Sequence, residues 1–215
     1  MFIRRLTTLV TALILLVACS DVTTIDGVHQ VDLTMQQGDG LVLAAPVLAT
    51  AAHAQGKILA DQVDSLFLTI TTISFLAVTE DGESEASWTS FELPEPITVD
   101  LLALPTEEAT PLVIASGELP AGDYEKLRFR ISTSSIFLNT GTTVGNSTFN
   151  PDTPYEVTVP SGATSGIKTD LGFSVADDVE INLLFSPNAT FDGVTATGSG
   201  KVILSPVLKA RDQLE

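Results

Sequence analysis

The chain has 215 residues with 10 basic and 27 acidic side chains, and its formal net charge at pH 7 is −17. This charge repels phosphate backbones and anionic lipid headgroups, so the composition excludes a nucleic-acid partner. The length allows one domain or at most two, with a full core, and the single cysteine cannot form an internal disulfide.

The N-terminus has the layout of a secretory signal. Arg4 and Arg5 precede residues 6–18, which carry no charge. A helix over that run would rise roughly 20 Å and would not cross a hydrocarbon core of about 30 Å. The run therefore predicts a signal peptide rather than a transmembrane helix.

The end of this run, Leu16-Val17-Ala18-Cys19, resembles the lipobox of bacterial lipoproteins. The resemblance implies cleavage before Cys19 and acylation of its thiol, which makes 1–18 the signal peptide and 19–27 a polar tether. Ser20 stands where an Asp commonly signals retention in the inner membrane. We therefore expect a bacterial cell-envelope protein held in the outer membrane by an N-terminal lipid anchor.

The first predicted strand covers 28–35, where Val31 and Leu33 alternate with Asp32 and Thr34. An alanine-rich insert follows at 41–62.

Within this insert, Pro46 is placed for the start of a helix and Gly56 for its end. We expect a short helix or a packed loop.

The next strand, 66–78, changes the phase of its apolar residues between Ile70 and Ile73. One sheet face cannot hold both sets of residues unless the strand contains an extra residue. The pattern therefore predicts a β-bulge at Thr71-Thr72. An acidic turn then leads into a strand at 87–93, which predicts a hairpin.

Further strands are predicted between turn-forming segments, and 139–150 is predicted to be a mobile loop. No helical period lies between these strands, which favours an all-β fold: a single antiparallel β-sandwich over 28–212. The remaining predicted strands are 97–102, 111–116, 124–137, 155–160, 166–175, 179–185 and 201–210.

Three stretches together resemble the bacterial domain-of-unknown-function family numbered 4382: ITVDLLAL at 97–104, GELPAGDYEKLRFRIS at 117–132 and VTVPSGATSGIKTDLGFSV at 157–175. The resemblance extends over about 58–209. It implies an envelope or surface domain, prealbumin-like or carboxypeptidase-regulatory-like, and it transfers no catalytic residues.

Two of these motifs also have physical interpretations. In LPAGDY, Pro120 and Gly122 favour a tight reversal, and the Tyr124 hydroxyl can bond nearby backbone as in a tyrosine corner. In PSGATSGIK, the glycines indicate a compact turn or bulge around Ser161. A phosphate-binding loop is the alternative, but the segment lacks the GK[ST] ending.

The sequence offers few groups for catalysis or metal binding. The two histidines, His29 and His53, have no partner at metal-ligand spacing, so no catalytic residue, metal site or cofactor is predicted. The acidic turn around Asp81 and Glu83 could chelate calcium weakly or could simply be a solvated turn.

One predicted strand is locally basic, although the chain as a whole is acidic. Lys126, Arg128 and Arg130 alternate with Leu127, Phe129 and Ile131, so three cations line one outward stripe. The stripe could contact an anion or another partner. Alternatively, it could pair with acids on neighbouring strands.

These features predict a non-enzymatic binding or interaction module whose partner is a polysaccharide or another surface protein. Two alternatives stay open: an envelope hydrolase acting on glycans, and a purely structural surface domain.

Overall fold

A computed structural model of the chain describes residues 27–38, 58, 60–78, 88–91, 93–144, 146–192, 195–197 and 200–210. Strands dominate these residues, beside a 3-10 helix (Ala60–Gln62) and a short α-helix, α1 (Pro187–Asp192). The strands are β1 (Val28–Gln37), β2 (Val63–Ala77), β3 (Trp88–Phe91), β4 (Ile97–Asp100), β5 (Leu112–Pro120), β6 (Gly122–Leu138), β7 (Thr142–Val144), β8 (Ser147–Phe149), β9 (Tyr155–Thr158), β10 (Ile167–Val175), β11 (Val179–Phe185), β12 (Thr195–Ala196), β13 (Val202–Ile203) and β14 (Leu208–Ala210).

The strands form two main sheets, which confirms the predicted all-β, sandwich-like fold. The small sheet has the order β14-β11-β1-β5, and the large sheet has the order β12-β13-β9-β6-β2-β3. In the large sheet, β10 also pairs with β6 and β4 with β2. The pairs β1–β11 and β9–β13 are parallel, so the sandwich is not wholly antiparallel. Parallel neighbours require a long crossover, and much of the chain lies between β1 and β11.

The long strands β2 and β6 form the middle of the large sheet, and the predicted bulge lies between them. Ile70 pairs with Ile131 and Thr72 with Arg130, so Thr71 is the extra residue. Its hydroxyl donates to the Arg130 carbonyl at 3.2 Å. The bulge lets the apolar residues on both sides of it face the core, which confirms the prediction.

The core is one cluster of buried apolar side chains, which come from both sheets. Gly117 in β5 packs so closely on the Phe91 ring in β3 that an added Cβ would lie 2.6 Å from it. The largest fully buried side chains include Phe75, Phe129, Phe149, Phe185, Leu33 and Met35.

Three segments differ from their predicted structure. Segment 139–150 contains the β7–β8 hairpin instead of only a loop, because Val144 and Phe149 are buried and the Phe149 ring packs on Tyr155 with centroids 4.9 Å apart. The predicted strand at 201–210 is divided between the two sheets as β13 and β14. Pro206 lies in the break, where its missing N–H cannot serve a ladder.

The third difference is α1, which occupies a segment predicted to be a turn. Its residue Phe191 is buried in the core.

Several predictions fall outside the described residues: the signal peptide, Cys19 and the tether before Gly27, most of the alanine-rich insert, and the acidic turn with Asp81 and Glu83. Among the residues that are described, no helix has the length and apolarity needed to cross a bilayer.

Candidate functional site

The predicted stripe of cations lies on β6, with its alternate residues in the core. Leu127, Phe129 and Ile131 are buried in the main cluster, so Lys126, Arg128 and Arg130 belong to the opposite, outer face of the large sheet. One expectation is wrong: Arg128 is only 4% exposed, whereas Lys126 and Arg130 are half-buried. Arg128 is therefore not a solvent-facing cation.

An aromatic ring lies against the buried Arg128 side chain. Its guanidinium carbon is 4.2 Å from the centroid of the Trp88 ring, and the Nζ atom of Lys168 is 5.4 Å from the same centroid. Both distances are within the range of a cation–π interaction. Trp88 is half-buried and is the only tryptophan in the chain.

The register of the strands explains why these residues meet. Residues directly opposite one another share a face, and Arg128 lies opposite both Ser74 in β2 and Lys168 in β10. Trp88 lies opposite Leu76, one position along the same face from Ser74. Four strands, β3, β2, β6 and β10, thus contribute to one surface.

We call this surface the basic face and define it by Trp88, Lys126, Arg128, Arg130 and Lys168. The three β6 cations were predicted from the sequence, whereas Trp88 and Lys168 were not. Each lay in a correctly predicted strand, but no sequence signal gave the register that brings them together.

Acidic side chains also adjoin the basic face. Asp170 lies opposite Lys126 in the register, and the Lys126 Nζ atom is 3.9 Å from Glu125 Oε1. An ion pair with this exposure contributes little, about 0–1 kcal/mol. We predicted that the cations could pair with acids on neighbouring strands. On β10, an acid lies opposite Lys126, whereas the residue opposite Arg128 is the cation Lys168.

The PSGATSG turn packs directly behind Arg128. Gly166 has φ 76°, and an added Cβ would lie 2.7 Å from Arg128 Cγ and from the Phe129 carbonyl oxygen. The Gly166 and Thr164 amides both donate to the Ser161 carbonyl. Since these amides are used within the turn, the compact-turn prediction is confirmed and a phosphate cradle is not supported.

The LPAGDY motif forms the predicted tyrosine corner at the start of β6. The Tyr124 hydroxyl donates to the Pro120 carbonyl at 2.8 Å, and Gly122 has the positive φ of 153° that the reversal uses. The ring stacks on Phe173, with centroids 5.2 Å apart. Burial raises the pKa of Tyr124 above its ordinary value.

The VDLLAL motif ends β4 and joins the two sheets. Asp100 Oδ1 accepts hydrogen bonds from the Leu66 amide at 3.1 Å and the Leu102 amide at 3.0 Å. The Leu102 carbonyl in turn accepts from Gln37 Nε2, at the end of β1 in the small sheet. The motif therefore holds β1 and β2 together.

Within the described residues, no group of three or more His, Cys, Asp and Glu side chains is placed to hold a metal ion. The described histidine, His29, lies in β1.

The fold and these motifs define a sandwich-like, all-β domain. The chain belongs to the family described as Domain of unknown function (DUF4382), whose model matches residues 56–206. This range contains all three stretches that carried the resemblance and agrees closely with the expected 58–209. No curated protein and no solved structure matches the sequence.

Proposed function

We propose that the chain is a lipid-anchored bacterial cell-envelope protein whose β-sandwich is a non-enzymatic binding module, with the basic face as its contact surface. The observation that carries this proposal is the concentration of positive charge around Trp88 on an otherwise acidic molecule.

The charge distribution is uneven. Removing residues 1–18 would take away Arg4 and Arg5, leaving 8 basic residues against 27 acidic ones, a net charge of −19. Four of those 8 cations belong to the basic face, which is built from four neighbouring strands. Local positive charge on an acidic surface favours a ligand whose negative groups are few and well placed.

The anchor is supported by the signal layout and by the place of Cys19 at its end. Two or three acyl chains on that residue bind a bilayer stably, because each buried methylene contributes about 0.8 kcal/mol. The absence of Asp at position 20 favours the outer membrane.

The described residues begin at Gly27, beside the turn between β5 and β6. The Ala121 amide donates to the Gly27 carbonyl at 2.9 Å, in the turn that leads into β6. A tether from Cys19 would therefore join the domain beside the strand that carries three of the four cations.

Mass spectrometry of the full chain, expressed in a bacterium with two membranes, tests the anchor. We expect a polypeptide that starts at an acylated Cys19 and fractionates with the outer membrane. Cys19→Ser should abolish the acyl mass, and Ser20→Asp should move the acylated protein to the inner membrane. A free Cys19 thiol, or a different N-terminal residue, would contradict the proposal.

A further inference from the structure

We propose that the basic face binds an acidic polysaccharide, with Trp88 as the platform for a sugar ring and the surrounding cations as partners for its carboxylates. This inference rests on the proposal that the basic face is the contact surface, but it does not depend on the lipid anchor.

Trp88 is suited to stacking on a sugar ring. An indole ring with one part exposed on a flat sheet can pack against the apolar face of a sugar ring, whose C–H groups carry a slight positive charge. Trp88 is half-buried and lies on the outer face, at the edge strand β3. Part of Trp88 therefore reaches solvent, and we place the stacked sugar ring there.

The Arg128 side chain packs on the Trp88 ring and orders it. Arg128 is nearly fully buried, and its guanidinium carbon lies 4.2 Å from the ring centroid. Gly166 is pressed against the same side chain from the PSGATSG turn. We therefore assign Arg128 as a positioning residue that holds the indole in place before a ligand arrives, which lowers the entropic cost of binding.

Other cations of the basic face reach the surface around Trp88. Lys168 is exposed, and Lys126 and Arg130 are half-buried on the same face. Ammonium and guanidinium groups beside a stacked ring favour a sugar that carries a carboxylate over a neutral sugar. Hydroxyl groups lie on this face as well: Ser74 Oγ and Ser90 Oγ are 2.8 Å apart.

Binding of three polymers to the full chain, purified in a neutral detergent, distinguishes ring stacking from simple charge attraction. The probes are polygalacturonate, an acidic sugar polymer; dextran, a neutral one; and poly-L-glutamate, an acidic polymer without sugar rings. Calorimetry gives the affinities, and Trp88 emission reports contact with the ring because no other tryptophan contributes.

We expect polygalacturonate to bind and to shift the Trp88 emission to shorter wavelength, with dextran and poly-L-glutamate bound at least about tenfold more weakly. The double variant Lys126→Gln/Lys168→Gln should weaken polygalacturonate binding about tenfold. The control compares the single change Lys168→Gln with a matched variant, Lys201→Gln. Lys201 is exposed and precedes β13, two strands from β6, so the matched variant should bind as the native chain does.

Three results would overturn the inference: no binding of polygalacturonate, equal affinity for poly-L-glutamate, or an equal loss in the matched variant. The outcome is separable from that of the anchor, since an unmodified Cys19 would leave polygalacturonate binding intact.

Discussion

The Arg128 guanidinium lies over the Trp88 ring, with 4.2 Å between the guanidinium carbon and the ring centroid. This contact joins β6 to β3 across β2, and it places the only tryptophan of the chain among the cations of an acidic molecule.

Replacing Arg128 by Met should test this contact, because Met keeps much of the side-chain volume and removes the charge. We expect the free energy of unfolding in urea to fall by about 1 kcal/mol and the Trp88 emission to move to longer wavelength. Lys168→Met, which removes the more distant and exposed cation, should cost less than about 0.5 kcal/mol. Unchanged emission in the Arg128 variant would show that the contact does not order the ring.

Gly166→Ala should be strongly destabilising. The residue has a positive φ, and a Cβ there would clash with Arg128 and with the Phe129 carbonyl. We expect a loss of at least about 2 kcal/mol in the free energy of unfolding. Gly172→Ala, in the neighbouring part of β10 where an added Cβ meets nothing within 4 Å, is the matched control and should change stability by less than about 1 kcal/mol in either direction. Equal effects at the two positions would contradict the close packing of the turn.

The features of the fold that could be predicted from the sequence are those set by residues close together in the chain. The bulge at Thr71 was predicted because the phase change of apolar residues is visible along one strand. The tyrosine corner at Tyr124 was predicted because its hydrogen bond to Pro120 spans only four positions. Such features depend on neighbours in the chain.

Features that depend on register were not predicted. Ser132 in β6 is another extra residue, opposite the bulge at Thr71, since Thr69 pairs with Thr133 and Ile70 with Ile131. Two further register shifts in the same strand pair leave Asp64 and Glu125 unpaired in this register. The full basic face was not predicted for the same reason. Trp88 and Lys168 lie far apart along the chain, and only the pairing of β3, β2, β6 and β10 brings them together. The burial of Arg128 follows from that pairing, so alternation alone wrongly suggested an exposed cation.

Tyr124→Phe should remove the corner hydrogen bond at a cost of about 1 kcal/mol at neutral pH. Because burial raises the pKa of Tyr124 in the folded protein, its contribution to stability is fully present below the unfolded pKa of about 10 and is lost as pH rises through the folded pKa. Unfolding measured between neutral and alkaline pH should therefore show the stability difference between native and variant shrinking above about pH 10. A difference that stays constant would rule out this coupling.

Asp100→Ala should show how much the VDLLAL motif contributes to the free energy of unfolding. The change leaves the Leu66 and Leu102 amides without their acceptor, and we expect thermal and urea unfolding to report a loss of about 1–3 kcal/mol. Asp100→Asn keeps a carbonyl oxygen in the same place and should lose less than half as much. If the two variants were equally unstable, the lost charge rather than the lost acceptor would be responsible.

The most direct test of the account is collisional quenching of Trp88 fluorescence by iodide and by caesium at one ionic strength, each normalised to a free tryptophan amide. A net charge of −17 should by itself attract caesium and repel iodide. If the basic face is locally positive, iodide will quench Trp88 more strongly than caesium, and Lys126→Gln/Lys168→Gln will reverse that order while Lys201→Gln leaves it unchanged. Stronger quenching by caesium in the native chain would contradict a positive contact surface around Trp88.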